Sequence, residues 1–293
     1  YPGETLPRWT FSLYWRRDGR PIWNDAALIA AEGTKTGAGP NEAERLLMGI
    51  ADVLGVEPGL VTPAFEDPAT WILKEANLPE NVTPENSEIE DPEERHRISR
   101  VFARGLTEPT GFVLPIQRWQ SQADPSHRWR SERWRLRRKH LFLVPGDSPV
   151  GYRIPLGSLP YVPPSSYPYT NIADPTAPRD PLPEPAVGAP ITRPQAVASF
   201  TAAEPTQDLI EQVLGDLDGA VRTALSVEPR DGRLCVFMPP VERVEDYLEL
   251  VAAAETAARA IGLPVHIEGY APPHDPRFNV VRVAPDPGVI EVN

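Results

Sequence analysis

The stretch ALSVEPRDGRLCVFMPP, residues 224–240, indicates the fold class. Two short apolar runs lie on either side of Asp231-Gly232, a dipeptide typical of the tight turn in a β-hairpin. Residues 242–261 follow, with apolar side chains at helical spacing up to Gly262, a typical helix-ending residue. Three more strand patterns come next, namely VHIEGY (265–270), NVVRV (279–283) and GVIEVN (288–293). The last hundred residues are therefore predicted to form a compact α/β unit.

The N-terminal part of the chain predicts strands and helices as well. Residues 11–15 alternate apolar and polar side chains, which is typical of a half-buried strand. A helix is predicted to start at Asn41 as its N-cap and to end at Gly55. Further helices are predicted at 68–77, from Pro92 onward and near 206–217. Strand patterns dominate residues 111–156, among them FVLPI (112–116), RWRLRRKHLFLV (133–144) and GYRIPL (151–156).

A proline-rich segment separates the two parts. Residues 160–194 contain 11 prolines, and each removes a backbone donor from a helix or a central strand. The segment is either a linker or an ordered strap on a surface, and Tyr161, Tyr167 and Tyr169 favour a strap for its first third. We therefore expect an α+β region at 1–159, this strap or linker at 160–194, and the α/β unit at 195–293. The predicted fold class is α+β, a mixed or antiparallel sheet with flanking helices.

Composition excludes several classes of protein. No run of apolar residues is long enough to span a bilayer, and the first residues lack the pattern of a signal peptide. A single cysteine excludes an internal disulfide and a cysteine-based zinc site. The net charge of −12 argues against nonspecific nucleic-acid binding. We expect a soluble, cytoplasmic protein, and the missing initial Met and the final residues VIEVN suggest a piece of a longer chain.

Cys235, His266 and Asp286 occur in the order of a transglutaminase- or papain-type catalytic site. Such a nucleophile needs a lowered pKa, usually from a helix N-terminus and an adjacent base. Cys235 instead lies in the strand pattern RLCVFM, where a small buried thiol is ordinary packing. We interpret Cys235 as a structural residue.

An arginine-rich segment, residues 128–139, holds six Arg and one Lys together with two tryptophans. On a strand, Arg133, Arg135 and Arg137 share one face, and their mutual repulsion favours an anionic partner such as carboxylates or a phosphate-bearing ligand. Downstream, Arg153 follows a Gly/Ser turn that could bind an anion. The alternatives are a solvated strand face or, third, a nucleic-acid contact.

The last strand pattern places Glu291 between Ile290 and Val292, on the same face as Asn293. A carboxylate beside an amide is a reasonable arrangement for Mg²⁺, which takes oxygen ligands and usually one or two carboxylates. The alternative is an edge-strand glutamate that faces water. The residues alone leave both open.

Six segments together resemble the bacterial putative amidoligase family, in order and over nearly the whole chain. They are YPGETLPRWTFSLYWRRDG, DPEERHRISRVFARGL, WRSERWRLRR, LFLVPGDSPVGYRIPLGSLPY, EPRDGRLCVFMPP and PDPGVIEVN. In that family this region follows a transglutaminase-like domain in one long polypeptide. The resemblance implies a fragment of a glutamine synthetase-like fold.

The resemblance also implies a chemistry. Enzymes of this type phosphorylate a carboxylate with Mg-ATP and let an amine attack the acyl phosphate. By position, Glu291 resembles a metal-binding glutamate on a core strand, with Asn293 beside it. Arg133, Arg135 and Arg153 are then candidates to bind phosphate or the substrate carboxylate. The segments expected to supply another metal carboxylate and the nucleotide motif are not in this sequence.

We therefore expect part of an ATP- and Mg²⁺-dependent amidoligase that acts on a peptide or amino-acid carboxylate. The alternative is a non-catalytic interaction region that serves an attached transglutaminase-like domain. The proline-rich segment and the missing catalytic motifs favour this alternative. Neither hypothesis includes a membrane, and a nucleic-acid partner is the least favoured.

Overall fold

The computed structural model describes residues 11–31, 33–67, 108–119, 128–134, 140–145, 152–153, 179–183, 221–286 and 289–292. These ranges contain two α-helices, α1 (Pro40–Val53) and α2 (Val244–Ile261). Their strands are β1 (Phe11–Arg16), β2 (Thr62–Glu66), β3 (Gly111–Pro115), β4 (Gln117–Trp119), β5 (Arg128–Arg130), β6 (Leu141–Pro145), β7 (Tyr152–Arg153), β8 (Ala224–Arg230), β9 (Arg233–Met238), β10 (Val265–Gly269), β11 (Phe278–Asp286) and β12 (Val289–Val292).

The described strands form three sheets. The largest has the order β10-β9-β8-β3-β2-β6-β7, the second has the order β1-β11-β12, and β4 pairs with β5. The seven-stranded sheet is mixed, because β9–β10 and β2–β6 are parallel while its other pairs are antiparallel. A mixed sheet with flanking helices confirms the predicted α+β class.

The β8–β9 hairpin has the turn that its sequence predicts. Asp231 and Gly232 both have positive φ angles, 52° and 77°. Two positive φ angles in a two-residue loop match the right-handed twist of the flanking strands. Arg230 and Arg233 face each other at the end of the ladder, so this local signal fixes the register of the hairpin.

Helix α2 lies between the two larger sheets. Tyr247, Leu250 and Val251 belong to the main hydrophobic core, which also contains residues of α1, β3, β8 and β9. Val244 and Leu248 instead pack with Phe278 of β11 in a second cluster. Burial on both sides explains the long, alanine-rich apolar pattern of this helix.

Helix α1 begins earlier than its sequence predicts. The N-cap is Gly39 and Pro40 is the first helical residue, whereas the prediction placed the cap at Asn41. Pro40 is well suited to this position because the first helical residue needs no N–H donor. The Glu42 carboxylate accepts a hydrogen bond from the Gly39 N–H at 2.9 Å, which satisfies one of the free donors of the first turn.

A buried carboxylate holds the loop after β1 against α2. Glu255 is 1% exposed and accepts hydrogen bonds from the backbone N–H groups of Asn24 and Asp25, at 3.0 and 2.9 Å. Arg259, one turn later, donates to the same carboxylate at 3.0 Å. The charge of Glu255 is therefore compensated, as a buried carboxylate requires.

Several predictions fall outside the described residues. They are the helices at 68–77, from Pro92 and near 206–217, and the three tyrosines of the proline-rich segment. Within the described part of the chain, neither helix combines the length and apolar character that a membrane crossing needs.

Candidate functional site

The two faces of the seven-stranded sheet differ in chemistry near β8, β9 and β10. One face carries the apolar side chains that pack under α1 and α2. The other carries Glu228, Arg230, Arg233, Cys235, His266 and Glu268, which we call the charged face. Strand alternation explains this division, since Leu225 and Val227 are buried in the core while Glu228 and Arg230 point to the other side.

Pairing across three strands brings these residues together. Glu228 of β8 lies opposite Cys235 of β9, and Cys235 lies opposite His266 of β10. Arg230 reaches across β9 to Glu268, with its Nη1 and Nη2 3.0 and 2.9 Å from the two carboxylate oxygens. The same Nη2 donates to Glu228 at 2.9 Å. One guanidinium therefore links two carboxylates, and the trio keeps one net negative charge.

The electrostatics of the charged face follow from these contacts. Burial alone would lower the pKa of Arg230, but the hydrogen bonds and charges of Glu268 and Glu228 raise it above the ordinary value. Arg230 is therefore a permanent cation. The bidentate pair with Glu268 also fixes the orientation of the guanidinium, which a single contact would not do.

Cys235 is a buried thiol. Its side chain is buried, and burial together with the charges of Glu268 and Glu228 raises its pKa to about 11. A nucleophilic cysteine needs the opposite shift. Asp286, the third member of the catalytic triad considered from the sequence, lies on β11 of the three-stranded sheet. The interpretation of Cys235 as a packed residue is confirmed.

An aromatic pair borders the charged face. Phe237 and Tyr270 have ring centroids 6.3 Å apart at 89°, an edge-to-face arrangement. Gly269 precedes Tyr270 and has a φ of 99°, and a Cβ at this position would lie 2.6 Å from the backbone nitrogen of Met238. Only glycine fits there, so Gly269 fixes how the chain turns and where Tyr270 lies. Tyr270 is 55% exposed, which leaves its ring accessible.

Of the three arginines predicted to bind anions, the structure describes the side chain of Arg133. Arg133 is exposed and lies outside a strand, so the strand expected to carry Arg133, Arg135 and Arg137 does not include Arg133. The neighbouring Trp134 donates its indole N–H to the Val221 carbonyl at 2.9 Å, which holds this segment in an irregular path. Arg133 itself donates to the Gly59 carbonyl at 2.7 Å. Arg135 lies outside the described residues, and of Arg153 only the backbone, in β7, is described.

Glu291, predicted as a metal ligand, lies on β12, where it is exposed and pairs in register with Ala284 of β11. Asn293 lies outside the described residues. Arg133 contacts the turn before β2, whereas Glu291 belongs to the three-stranded sheet. Among the described residues, no group of three or more His, Cys, Asp or Glu is arranged to hold a metal ion.

Sequence reasoning did not single out Glu228, Arg230 and Glu268. Part of the signal was present, because charged residues alternate with buried Leu225 and Val227 in LSVEPR. Such alternation predicts that Glu228 and Arg230 share a face. Glu268 could not be added from the sequence, since its approach to Arg230 depends on the parallel pairing of β9 and β10.

Comparison with known proteins gives one match. A family model described as "Putative amidoligase enzyme (DUF2126)" matches residues 1–293. No curated protein and no solved structure matches the chain.

Proposed function

Because the chain belongs to the family described as putative amidoligase enzymes, we propose that it forms part of an ATP- and Mg²⁺-dependent ligase. The enzyme joins the carboxylate of a peptide or amino acid to an amine. The match over residues 1–293 is the observation that carries this proposal. The charged face supports it, because a ligase of this kind must bind groups of both signs.

The described residues do not by themselves make a magnesium site. Mg²⁺ takes oxygen ligands and usually binds to one or two carboxylates together with substrate phosphates. Glu228 and Glu268 are the carboxylates that lie together on the charged face, and both bind Arg230. A cation therefore already lies between them. We keep Glu291, with Asn293, as the proposed metal ligands and assign no chemical step to the metal.

The charged face suits the amine substrate. Glu228 and Glu268 are carboxylates that can accept hydrogen bonds from an ammonium group, and the exposed ring of Tyr270 offers a π face for the same cation. Glu228 has 18% of its side chain exposed and Glu268 has 8%, so Glu228 is the more accessible acceptor. Arg133, Arg135 and Arg153 remain the proposed contacts for phosphate or the substrate carboxylate.

Calorimetric titration of Mg-ATP into the 293-residue chain tests the nucleotide part of this proposal. We expect binding that Glu291→Gln weakens by at least about tenfold, because loss of even a group that only hydrogen-bonds to a metal ligand costs about 10–100-fold in affinity. Glu44→Gln, on α1, is the matched control and should bind as the unchanged chain does. Equal binding by the Glu291→Gln variant would remove Glu291 from the site. A folded chain that binds no Mg-ATP would favour the interaction region described below.

Titration with a small primary amine such as methylamine tests the charged face separately. We expect weak binding that Glu228→Gln reduces and Glu44→Gln preserves. Circular dichroism on each variant checks that the fold is intact. Binding that is insensitive to Glu228→Gln would show that the ammonium binds elsewhere, whatever the result with Mg-ATP.

One observation favours the second function, a non-catalytic interaction region that serves a transglutaminase-like domain. The three-stranded sheet exposes apolar side chains, among them Phe11, Leu13 and Ile290, and such patches often mark binding surfaces. A pull-down between this chain and a separately produced transglutaminase-like domain tests it. Deletion of residues 160–194 should then reduce partner binding and leave nucleotide binding unchanged.

A further inference from the structure

One face of the three-stranded sheet is apolar and exposed. Phe11, Leu13 and Trp15 of β1 alternate with polar neighbours and lie opposite residues 283, 281 and 279 of β11. Val292 and Ile290 of β12 lie opposite residues 283 and 285. Directly opposed residues in an antiparallel pair share a face. We call this surface the apolar face, and its side chains are Phe11, Leu13, Trp15, Val281, Val283, Ile290 and Val292.

The apolar face is exposed in the described part of the chain. Ile290 is 69% exposed, Phe11 68% and Val292 64%, and Leu13 and Trp15 follow at 59% and 40%. The opposite face of the same sheet has side chains that are packed against α2. Its Tyr14 and Phe278 pack in the cluster with α2. Among the described residues, α2 packs against one side of the sheet, and the apolar face is on the other side.

An exposed apolar surface of this kind is expected to contact a partner. Continuous apolar patches larger than a few hundred Å² are rare on monomeric proteins and mark interaction sites. Two aromatic side chains of about 150–250 Å² each and five aliphatic ones, exposed to these fractions, leave roughly 400–500 Å² per chain. Two such patches bury roughly 900 Å² when they meet, which is slightly less than the ~1,000 Å² minimum of a stable specific interface and is the size of a weak, reversible dimer.

We propose that a second copy of this chain covers the apolar face, so that two three-stranded sheets stack face to face around a twofold axis. The chemistry of the face favours its own copy. Its seven apolar side chains are uncharged, and the exposed Arg17 donates to the Asn279 side chain at one end of the face. The same patch on both subunits is what a twofold interface requires. Stacked sheets lie about 10 Å apart with interdigitated side chains.

Sedimentation velocity of the 293-residue chain over a range of concentrations tests the proposal. We expect a dimer that dissociates on dilution. Leu13→Glu and Ile290→Glu should each raise the dissociation constant about a hundredfold or more, because each change buries one uncompensated carboxylate per subunit in an apolar interface. Arg282→Glu is the matched control, since Arg282 is an exposed residue of β11 on the opposite face. It should dimerise like the unchanged chain.

A cysteine variant gives a second measurement that does not depend on stability. Cys235 is buried, so Ile290→Cys adds the one accessible thiol among the described residues. We expect Ile290→Cys, but not the control Arg282→Cys, to form a crosslinked dimer with a short bifunctional thiol reagent.

Three outcomes of these measurements would overturn the proposal, and so would a transglutaminase-like domain whose binding Leu13→Glu and Ile290→Glu abolish, because the face would then belong to that partner. The first is a chain that stays monomeric at about 100 µM, well above the micromolar range of specific complexes. The second is a dimer that Leu13→Glu and Ile290→Glu leave intact. The third is a monomer that binds no hydrophobic dye, which would mean that residues of the same chain cover the face.

Discussion

Asp275 shows how one buried carboxylate organises its surroundings. It is 4% exposed and receives hydrogen bonds from Arg277 Nε at 2.9 Å and from Arg179 Nη1 at 2.5 Å. Burial alone would raise its pKa, but the two arginines and the Arg277 N–H lower the pKa to about 2, from an ordinary value of 3.8. The folded protein therefore holds Asp275 ionised at pH values where the unfolded chain protonates it.

This depressed pKa predicts acid sensitivity. The stabilisation from ionised Asp275 is fully present above pH 3.8 and is lost as the pH falls toward about 2. Asp275→Asn should lower the free energy of unfolding at neutral pH by about 1–3 kcal/mol and flatten its decrease between these pH values. Urea unfolding at several pH values measures both effects. Asp52→Asn, at an exposed site on α1, is the control. An unchanged slope in the Asp275→Asn variant would contradict this prediction.

Glu268 offers a second test at the same scale. Glu268→Gln removes the charge of the carboxylate that binds Arg230 through both oxygens. The amide keeps one acceptor and turns a donor toward the guanidinium, so we expect a loss of about 1–3 kcal/mol in the free energy of unfolding. The change in urea midpoint at constant m-value measures it. Glu44→Gln should change the midpoint little, and a Glu268→Gln variant that behaves the same would mean that the trio contributes nothing to stability.

At the scale of elements, the contact between α1 and α2 depends on a small residue. A Cβ at Gly49 would lie 3.2 Å from the Cβ of Ala257, so the two helices approach closely there. Gly49→Leu should overfill this contact and lower the free energy of unfolding by about 1–3 kcal/mol. Met48→Leu, at a 39% exposed site on the same helix, is the control. Thermal unfolding of both variants measures the difference.

A double variant shows whether the loss of stability arises at the contact between Gly49 and Ala257. Adding Ala257→Gly to Gly49→Leu should restore part of the lost stability, because it removes the atom that the new side chain meets. If the two substitutions prove additive, the cost of Gly49→Leu comes from elsewhere in the helix.

Elements with local signals could be predicted from the sequence. The β8–β9 hairpin follows from Asp231-Gly232, and the end of α2 follows from Gly262, which has a φ of 69°. Both signals act within a few residues. The start of α1 was misplaced by two residues, because Pro40 at the first helical position is as strong a start signal as the Asn41 cap.

Pairings between distant strands could not be predicted in the same way. β1 pairs with β11, and β3 pairs with β8, over more than a hundred residues of sequence. The alternation of apolar and polar residues predicts a strand but not the strand with which it pairs. The same holds for the charged face. Alternation along one strand predicts that Glu228 and Arg230 lie together, but the approach of Glu268 depends on the pairing of β10 with β9. The Glu291 prediction rested on resemblance, and its role as a metal ligand stays a prediction.

At the scale of the whole molecule, residues 179–183 lie on the inner side of the three-stranded sheet. Arg16 of β1 is 2% exposed and donates to the Pro183 carbonyl at 2.8 Å. Arg277 donates to the Asp180 carbonyl at 2.6 Å, and Leu182 packs in the cluster between this sheet and α2. Residues 179–183 are therefore held by hydrogen bonds from Arg16 and Arg277 and by the apolar contacts of Leu182 with the sheet and α2.

Arg16 should therefore control how firmly residues 179–183 are held. Arg16→Leu leaves the Pro183 and Leu182 carbonyls without their guanidinium donor, so we expect a loss of about 1–3 kcal/mol in the free energy of unfolding. We also expect faster amide hydrogen exchange in residues 179–183 than in α1, because the contact is lost locally. Arg17→Leu is the matched control, since Arg17 is exposed and its side chain donates to Asn279. Exchange that accelerates equally in α1 and in 179–183 would mean that Arg16 stabilises the molecule globally and does not hold this segment. Exchange that accelerates in β1 alone would mean that Leu182 and Arg277 suffice to hold it.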